Sequence, residues 1–335
     1  MPSSDELIVI TGASGLIGQA LTRRLIAAGK KLRLQVRNKS AFLQSAGKTI
    51  DLRQAEIVQM DFNQVSIPAM VNLVSGASAL VHAAGLVHNA KAEYSEYELL
   101  NVRTTEQLAD IAASQNVGTF VFLSTSAVYG PGPFADVKED AQLKPQTAYA
   151  VSKARCESHL QTLTGKIKRL VVLRPSLVFG EGDRGNLLSL IKQINNGRYF
   201  NIAGQTTYKS LIYSLDLAQI IELCLKSEEA GYFVFNAANP QAVELSELTK
   251  EIALALGRPA KSLSLPSQMV RMGAKAAEKF LGERSPITES KLDKLITTTT
   301  CSADNLVRAT GFTPQYSLKE SLAAEIKWAT AQGLL

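Results

Sequence analysis

Short apolar runs alternate with stretches of helical spacing through the first half of the chain. LIVIT (7–11), LRLQV (32–36), EIVQM (56–60), ALVHA (79–83), FVFLS (120–124) and LVVLR (170–174) are apolar at nearly every position, as strands covered on both faces are. Helical patterns at 15–28, 66–75, 95–116 and 147–165 fall between them. Repetition of strand, helix, strand predicts a doubly wound α/β fold, a parallel sheet with helices on each side.

After about 180 the pattern changes. A helix near 186–197, scattered short strands and a helix at 246–257 predict a smaller second α/β lobe. The division expected is a nucleotide-binding domain over 1–180, with some later segments returning to it, and a substrate-binding lobe over most of 181–335. No linker or repeat separates them, so the lobes should pack directly. PSQMVRMGAKAAEKFLGE (266–283) is amphipathic, with Met269, Val270, Met272, Ala276 and Phe280 on one face. Its sparse charge favours a helix packed on the second lobe over one lying on a membrane surface. TTTT (297–300) reads as a loop or edge strand, with Ser302 capping the helix that follows.

Composition narrows the function classes. A net charge of +6 suits anionic small ligands, but basic residues are not interleaved with aromatic ones, which argues against a nucleic-acid groove. Three scattered cysteines, Cys156, Cys224 and Cys301, fit free thiols in a reducing cytoplasm. His82, His88 and His159 form no metal-binding spacing, so no catalytic metal is expected. No apolar run reaches the roughly 20 residues of a membrane span, and the N-terminus lacks the pattern of a signal peptide.

Directly after the first strand comes TGASGLIGQALTRRL, with Gly12, Gly15 and Gly18 before a helix. Glycines there allow a tight turn, backbone approach to a pyrophosphate and close helix–strand packing, while the helix start offers unpaired N–H groups to phosphate. Ser14, Leu16 and Ile17 complete this candidate dinucleotide site. The second strand runs into Val36-Arg37-Asn38, without the carboxylate that would bind ribose hydroxyls. Arg37 can pair with a 2′-phosphate, so NADP(H) is favoured and NAD(H) remains possible. Asp61, followed by Phe62, ends the third strand where it could accept a hydrogen bond from adenine.

TAYAVSKARCE (147–157) puts Tyr149 and Lys153 four residues apart on one helix face. A phenol is a weak base at neutral pH, and a nearby ammonium together with a cationic nicotinamide would bring its pKa down. Upstream, LSTSAVYG (123–130) offers three hydroxyls, a tyrosine and, between them, the inert Ala127.

Taken together, the glycine turn, AAG (83–85), Asn101 in NVRTT, STSAVYG, Tyr149 with Lys153, and LRPSLVFGEGD resemble the extended short-chain dehydrogenase/reductase family with its Rossmann fold, and more narrowly its sugar-nucleotide epimerase/dehydratase branch. The resemblance runs on through Asp304, Gly311-Phe312 and Pro314. It implies Tyr149 as acid/base, Lys153 as the residue bridging the nicotinamide ribose, and Thr125 as the hydroxyl sharing the reacting oxygen. It further implies Asn101 supporting the active-site helix, Ala83, Ala84, Gly85 and Pro175 beside the cofactor, and Ser126, Asn186 and Lys209 at the substrate. Lys209 stands where the family more usually has arginine. The implied substrate is a nucleotide sugar, and the implied assembly a homodimer built on the helices near 95–116 and 147–165.

Dehydratases of this family follow the reactive hydroxyl with Asp-Glu, because expelling water needs an extra acid and base. Here Ser126 and Ala127 occupy those positions, which leaves hydride transfer at one carbinol, as a 4-ketosugar reductase or a 4-epimerase. A hydroxysteroid- or flavonoid-type dehydrogenase is the alternative enzyme. A cofactor-sensing regulator is the non-enzymatic one, disfavoured because both Tyr149 and Lys153 are retained. His82, His88, Tyr97, Trp328 and Phe280 are read as packing residues, as is Tyr129.

Overall fold

A computed structural model describes residues 6–48, 50–87, 93–199, 201–204, 206–259, 264–266, 268–272, 275 and 289–335. The apolar runs become strands β1 (Leu7–Thr11), β2 (Lys31–Val36), β3 (Ala55–Gln59), β4 (Ala77–His82), β5 (Thr119–Leu123) and β6 (Arg169–Pro175). A seventh, β7 (Gly231–Ala237), returns from the second half of the chain and pairs in parallel with β6 along its whole length. All seven form one parallel sheet in the order β7-β6-β5-β4-β1-β2-β3. The order reverses direction between β4 and β1, which opens a crevice at the carboxyl ends of those strands.

Strand alternation explains why both faces are apolar. Ile8, Ile10, Leu32, Leu34, Val81, Val121, Val171 and Leu173 point to one face. There they meet α1 (Leu16–Ala27), α2 (Lys39–Ser45) and, later in the chain, a long helix over Ser214–Lys226. Val9, Leu80, Phe120, Phe122, Leu170 and Val172 point to the other face. That face is covered by α3 (Ile67–Val74), α4 (Thr104–Ser114) and α5 (Ala148–Thr162). A separate core of Phe179, Leu190, Ile191, Leu248, Ile252 and Leu322 holds the second lobe. It joins α6 (Asn186–Asn195), the helix over Leu245–Ala255 and the C-terminal helix Leu318–Ala331. Among the described residues no helix is long and apolar enough to cross a membrane.

Three local expectations change. The helix expected over 95–116 is not uniform: between Tyr94–Tyr97 and α4, residues Glu98–Arg103 widen into a π-helical turn. Ser302 is not the cap residue. Ala303 holds that position, and the Ser302 hydroxyl instead accepts from the Asp304 amide at 3.2 Å. Among the described residues of the amphipathic segment Val270 alone is buried, against Leu292 and Ile296, whereas Met269 and Met272 are 61% and 72% exposed. Ala276 and Phe280 lie outside the described residues, as does His88.

One buried charge site sets a pH dependence. Glu325, on the C-terminal helix, has no exposed surface, and neither oxygen meets a hydrogen-bond partner of normal geometry among the described residues. Burial, reinforced by the Asp183 carboxylate and opposed by the Gly180 backbone, pushes its pKa from 4.5 up to about 8. In the unfolded chain the group is ionised above its ordinary value, so folding takes up a proton across the window from about 4.5 to about 8. Its contribution to stability therefore falls as pH rises through that window. Glu325→Gln should flatten the fall in melting temperature between pH 5.5 and 8.5 and leave the variant more stable than the parent at the upper end, as read by calorimetry.

Candidate active site

The glycine turn leaves no room for side chains. Gly12 has φ +68°, and a Cβ on it would stand 2.7 Å from the Ala84 backbone; a Cβ on Gly18 would lie 2.2 Å from the Gly12 carbonyl oxygen. Gly15 caps α1 without a side-chain hydrogen bond, and the first turn carries no acidic residue. The amides at the start of α1 are thus left for an anion, and the close-packed backbone suits a dinucleotide pyrophosphate. Ser14 and Gly15 are exposed at the mouth, while Leu16 and Ile17 are half-buried behind it. Beneath, the buried Gln35 accepts from the Gly12 amide at 2.8 Å and donates to the Met60 carbonyl at 2.6 Å. Sequence reasoning passed over Gln35, although a polar letter inside LRLQV was the available signal.

Tyr149 and Lys153 both lie in α5, which starts at a Thr147 cap whose side chain accepts from the Ala150 amide. Thr125 ends the loop from β5. Its hydroxyl accepts from the Ala127 amide at 3.2 Å and hydrogen-bonds the Tyr149 phenol, so two of the sequence-predicted groups meet. The Lys153 ammonium donates to the Leu123 carbonyl at 2.7 Å and stands 4.6 Å from the Phe122 ring centre. A Cβ on Gly85 would come within 3.4 Å of that ammonium and 3.1 Å of Asn101 Oδ1, so the backbone of the AAG segment lies directly on both.

The electrostatics differ from the sequence expectation. Burial pushes the Tyr149 phenol up to about 12, with the Thr125 hydrogen bond opposing this and Tyr97 adding to it. Lys153, whose ammonium donates to the Leu123 carbonyl, is not among the groups that shift the phenol. Burial also brings the lysine itself down to about 8.

Asn101 sits in the π-helical turn. Its side chain brackets Leu86, accepting from the amide at 2.7 Å and donating to the carbonyl at 3.1 Å, and it also donates to Ser152 Oγ at 3.0 Å. A widened turn leaves a backbone carbonyl without its usual helical donor; the Thr104 hydroxyl serves the Leu99 carbonyl at 3.1 Å.

The neighbouring hydroxyls are not equivalent. Ser124 donates to the Glu157 carboxylate, which pairs with Arg174 at 2.6 Å, both side chains almost completely buried. Arg174 also donates to the Tyr129 hydroxyl at 2.8 Å and to the Glu139 carbonyl at 2.9 Å, and Tyr129 donates to Asn236 Oδ1 at 2.7 Å. Tyr129 is therefore a structural residue. Ser126 and Ala127, half-buried, lead the short 3-10 turn that Thr125 caps. Pro175 follows Arg174 at the end of β6, paired with Ala237.

The remaining expected residues are more peripheral. Arg37 is exposed, with no hydrogen-bond partner among the described residues, while Asn38 is committed to capping α2 at Ala41. The Asp61 carboxylate accepts from the Asn63 amide and side chain, both at 3.0 Å, and Phe62 packs against the sheet core. Asn186 is exposed at the start of α6. Asp183 caps that loop by accepting from the Gly185 amide at 2.7 Å. Lys209 donates to the Thr297 carbonyl, and burial lowers its pKa to about 8. His159 is a surface residue beside Asp110, at 3.1 Å.

A doubly wound sheet with a phosphate-binding turn at its first crossover and a Thr–Tyr–Lys set at its carboxyl edge defines a short-chain dehydrogenase/reductase of the extended type. The family model for the NAD dependent epimerase/dehydratase family matches residues 8–238, and the chain belongs to that family of enzymes. It is 25% identical over 330 residues to the N-acetyl-α-D-glucosaminyl-diphospho-ditrans,octacis-undecaprenol 4-epimerase of Escherichia coli O157:H7, covering 97% of this chain and 95% of that one. It is also 25% identical to the UDP-glucose 4-epimerase of Vibrio cholerae, over 79% of this chain and 80% of the relative. Among solved structures, UDP-glucuronic acid 4-epimerase from Bacillus cereus in complex with NAD superposes with a TM-score of 0.76, at 20% identity, over 98% of this chain and all of the other.

The buried ion pair yields a direct test. Glu157→Leu strands the Arg174 guanidinium and should cost about 3–5 kcal/mol of unfolding free energy in urea denaturation. The double variant E157L/R174M should recover part of that loss, because it removes the uncompensated charge.

Proposed function

We propose that the protein transfers a hydride and a proton at C4 of a nucleotide-diphosphate sugar, as a 4-ketosugar reductase or a 4-epimerase, without 4,6-dehydration. The observation that best supports this reading is the contact between the Thr125 hydroxyl and the Tyr149 phenol, with Lys153 one helical turn further on and the Gly85 backbone against its ammonium. When bound, a nicotinamide supplies the hydride donor or acceptor. Tyr149 exchanges the proton of the C4 oxygen, and Thr125, whose hydroxyl accepts from the Ala127 amide and bonds the Tyr149 phenol, shares the hydrogen bonding of that oxygen with Tyr149. Burial leaves the phenol near 12, so drawing it towards neutrality would need the positive charge of an oxidised nicotinamide together with the Lys153 ammonium. Ser126 and Ala127 lack the acid and base that elimination of water requires.

The exposed, uncommitted Arg37 favours NADP(H) over NAD(H), since its guanidinium can pair with a 2′-phosphate while Asn38 is occupied in capping. Asn186 and Lys209, in the second lobe formed mostly by 181–335, are the residues assigned to the substrate nucleotide and diphosphate. A homodimer through the helices of 95–116 and 147–165 belongs to the same reading. A sugar carried on a polyprenyl diphosphate is a second reading of the substrate. It is favoured by the match to the Escherichia coli relative over 97% of this chain and by the exposed Met269 and Met272, which would suit a lipid tail.

Purified protein incubated with NAD(H) or NADP(H) and a panel of UDP-, GDP- and dTDP-sugars, alongside an undecaprenyl-diphosphate sugar, should epimerise or reduce at least one member. Complete inactivity across the panel would overturn the reading. Tyr149→Phe should lower kcat by roughly 10²–10⁴-fold while leaving the melting temperature unchanged within about 2 °C. Arg37→Asp should weaken NADP(H) binding about tenfold or more, the scale of one lost charge-assisted hydrogen bond, with little effect on NAD(H). Fluorescence titration of the reduced cofactors reads this directly.

A further inference from the structure

His82 was read from the sequence as a packing residue, and its surroundings are indeed closed: it has no exposed surface, and its ring stacks on Phe122 with centroids 5.9 Å apart. Both ring nitrogens are nevertheless engaged. Nδ1 lies 2.7 Å from Thr11 Oγ1 and Nε2 lies 3.0 Å from Thr105 Oγ1. The direction of each bond follows from the groups at the two ends. At one end the Ala84 amide can only donate, and it gives its proton to Thr11 Oγ1 at 3.2 Å. At the other end the Asn101 carbonyl can only accept, and it takes the Thr105 hydroxyl proton.

Thr105 has one hydroxyl proton and has spent it on Asn101, so towards His82 it must accept. His82 Nε2 therefore carries a proton. A second proton, on Nδ1, would make an imidazolium with no exposed surface, bonded among the described residues only to the Thr11 and Thr105 hydroxyls, and burial together with the Lys153 charge disfavours it strongly. Nδ1 is thus the acceptor for the Thr11 hydroxyl. The bonds run one way, from the Ala84 amide through Thr11, His82 and Thr105 to the Asn101 carbonyl.

The two ends of this chain are the two halves of the site. Thr11 immediately precedes Gly12, and Ala84 is the backbone against which Gly12 closes without slack. Asn101 brackets Leu86 and donates to Ser152, whose hydroxyl in turn donates to the Tyr149 carbonyl at 2.8 Å. We propose that His82 is a positioning residue, a neutral imidazole with its proton on Nε2, which fixes the spacing between the glycine turn and the Asn101 helix and so couples cofactor binding to the placement of Tyr149. The proposal rests on the cofactor-binding part of the functional reading. Its tests use no sugar substrate, so an error about the substrate leaves their outcome unaffected.

The tautomer is tested by nitrogen-15 NMR of the full chain, with H82N assigning the signal among three histidines. The expected result is a neutral imidazole bearing its proton on Nε2 throughout pH 5.5–8; a proton on Nδ1, or titration within that range, overturns the proposal. The coupling is tested by Thr105→Val and Thr105→Ser, which do not depend on H82N folding. T105V should weaken NADH and NADPH binding about tenfold and speed hydrogen exchange at the Leu86 amide by a similar factor. T105S, which restores the hydroxyl, should return both towards the parent. Unchanged cofactor affinity in T105V, or a loss that T105S does not rescue at equal melting temperature, would overturn the coupling.

Discussion

The buried pair between Arg174 and Glu157 is the constraint on which the catalytic edge depends. Two ions taken out of water must be repaid by excellent geometry and further hydrogen bonds, or the fold would do better with apolar residues. Here the repayment comes from three groups. Ser124 reaches the carboxylate, while Tyr129 and the Glu139 carbonyl take the remaining guanidinium donors. Glu157 lies one helical turn beyond Lys153, Ser124 directly precedes Thr125, and Arg174 directly precedes Pro175. Satisfying one ion pair therefore fixes the relative positions of three groups on three different elements.

The cofactor edge is held by a different kind of force. Around Gly12, Gly18 and Ala84 it is exclusion of side-chain volume that sets the geometry, with backbone against backbone and Gln35 beneath. The π-helical turn lies between the two edges and lets Asn101 face Leu86 and Ser152 at once. A regular helix would carry the same side chain round by a different angle, so the local irregularity serves the arrangement of the site.

Much of the fold was legible in the chain because parallel strands buried on both faces write themselves as unbroken apolar runs. LIVIT and FVFLS needed no partner to be recognised. β7 was harder: GYFVFNA sits far along the chain, among short second-lobe strands, and its place beside β6 is a long-range fact that no local pattern carries. The contact of Thr125 with Tyr149 joins two residues that spacing and family resemblance had singled out. What escaped was the support beneath: Gln35, His82, Glu157 and Arg174. Three of these are single polar letters inside apolar strands, a signal that says a buried group must be satisfied but does not say by whom. The charge state of Tyr149 escaped as well, because a sequence shows the nearby lysine and hides the desolvation acting against it.

The packing of α1 against the helix Ser214–Lys226 bears on how the molecule can be made. Arg24, one turn from the end of α1, is paired with Glu222, 198 residues later in the chain. The outer face of the phosphate-binding helix is covered only when that late segment arrives, after both lobes have begun to emerge from the ribosome. An N-terminal fragment ending near residue 180 would carry every glycine of the turn, yet would lack the edge strand β7 and the helix that seals α1. Such a fragment would expose apolar surface and an open strand edge together, the combination that favours aggregation over folding. The nucleotide-binding half is contiguous in function but not in sequence, and the chain has to be nearly complete before that half can fold.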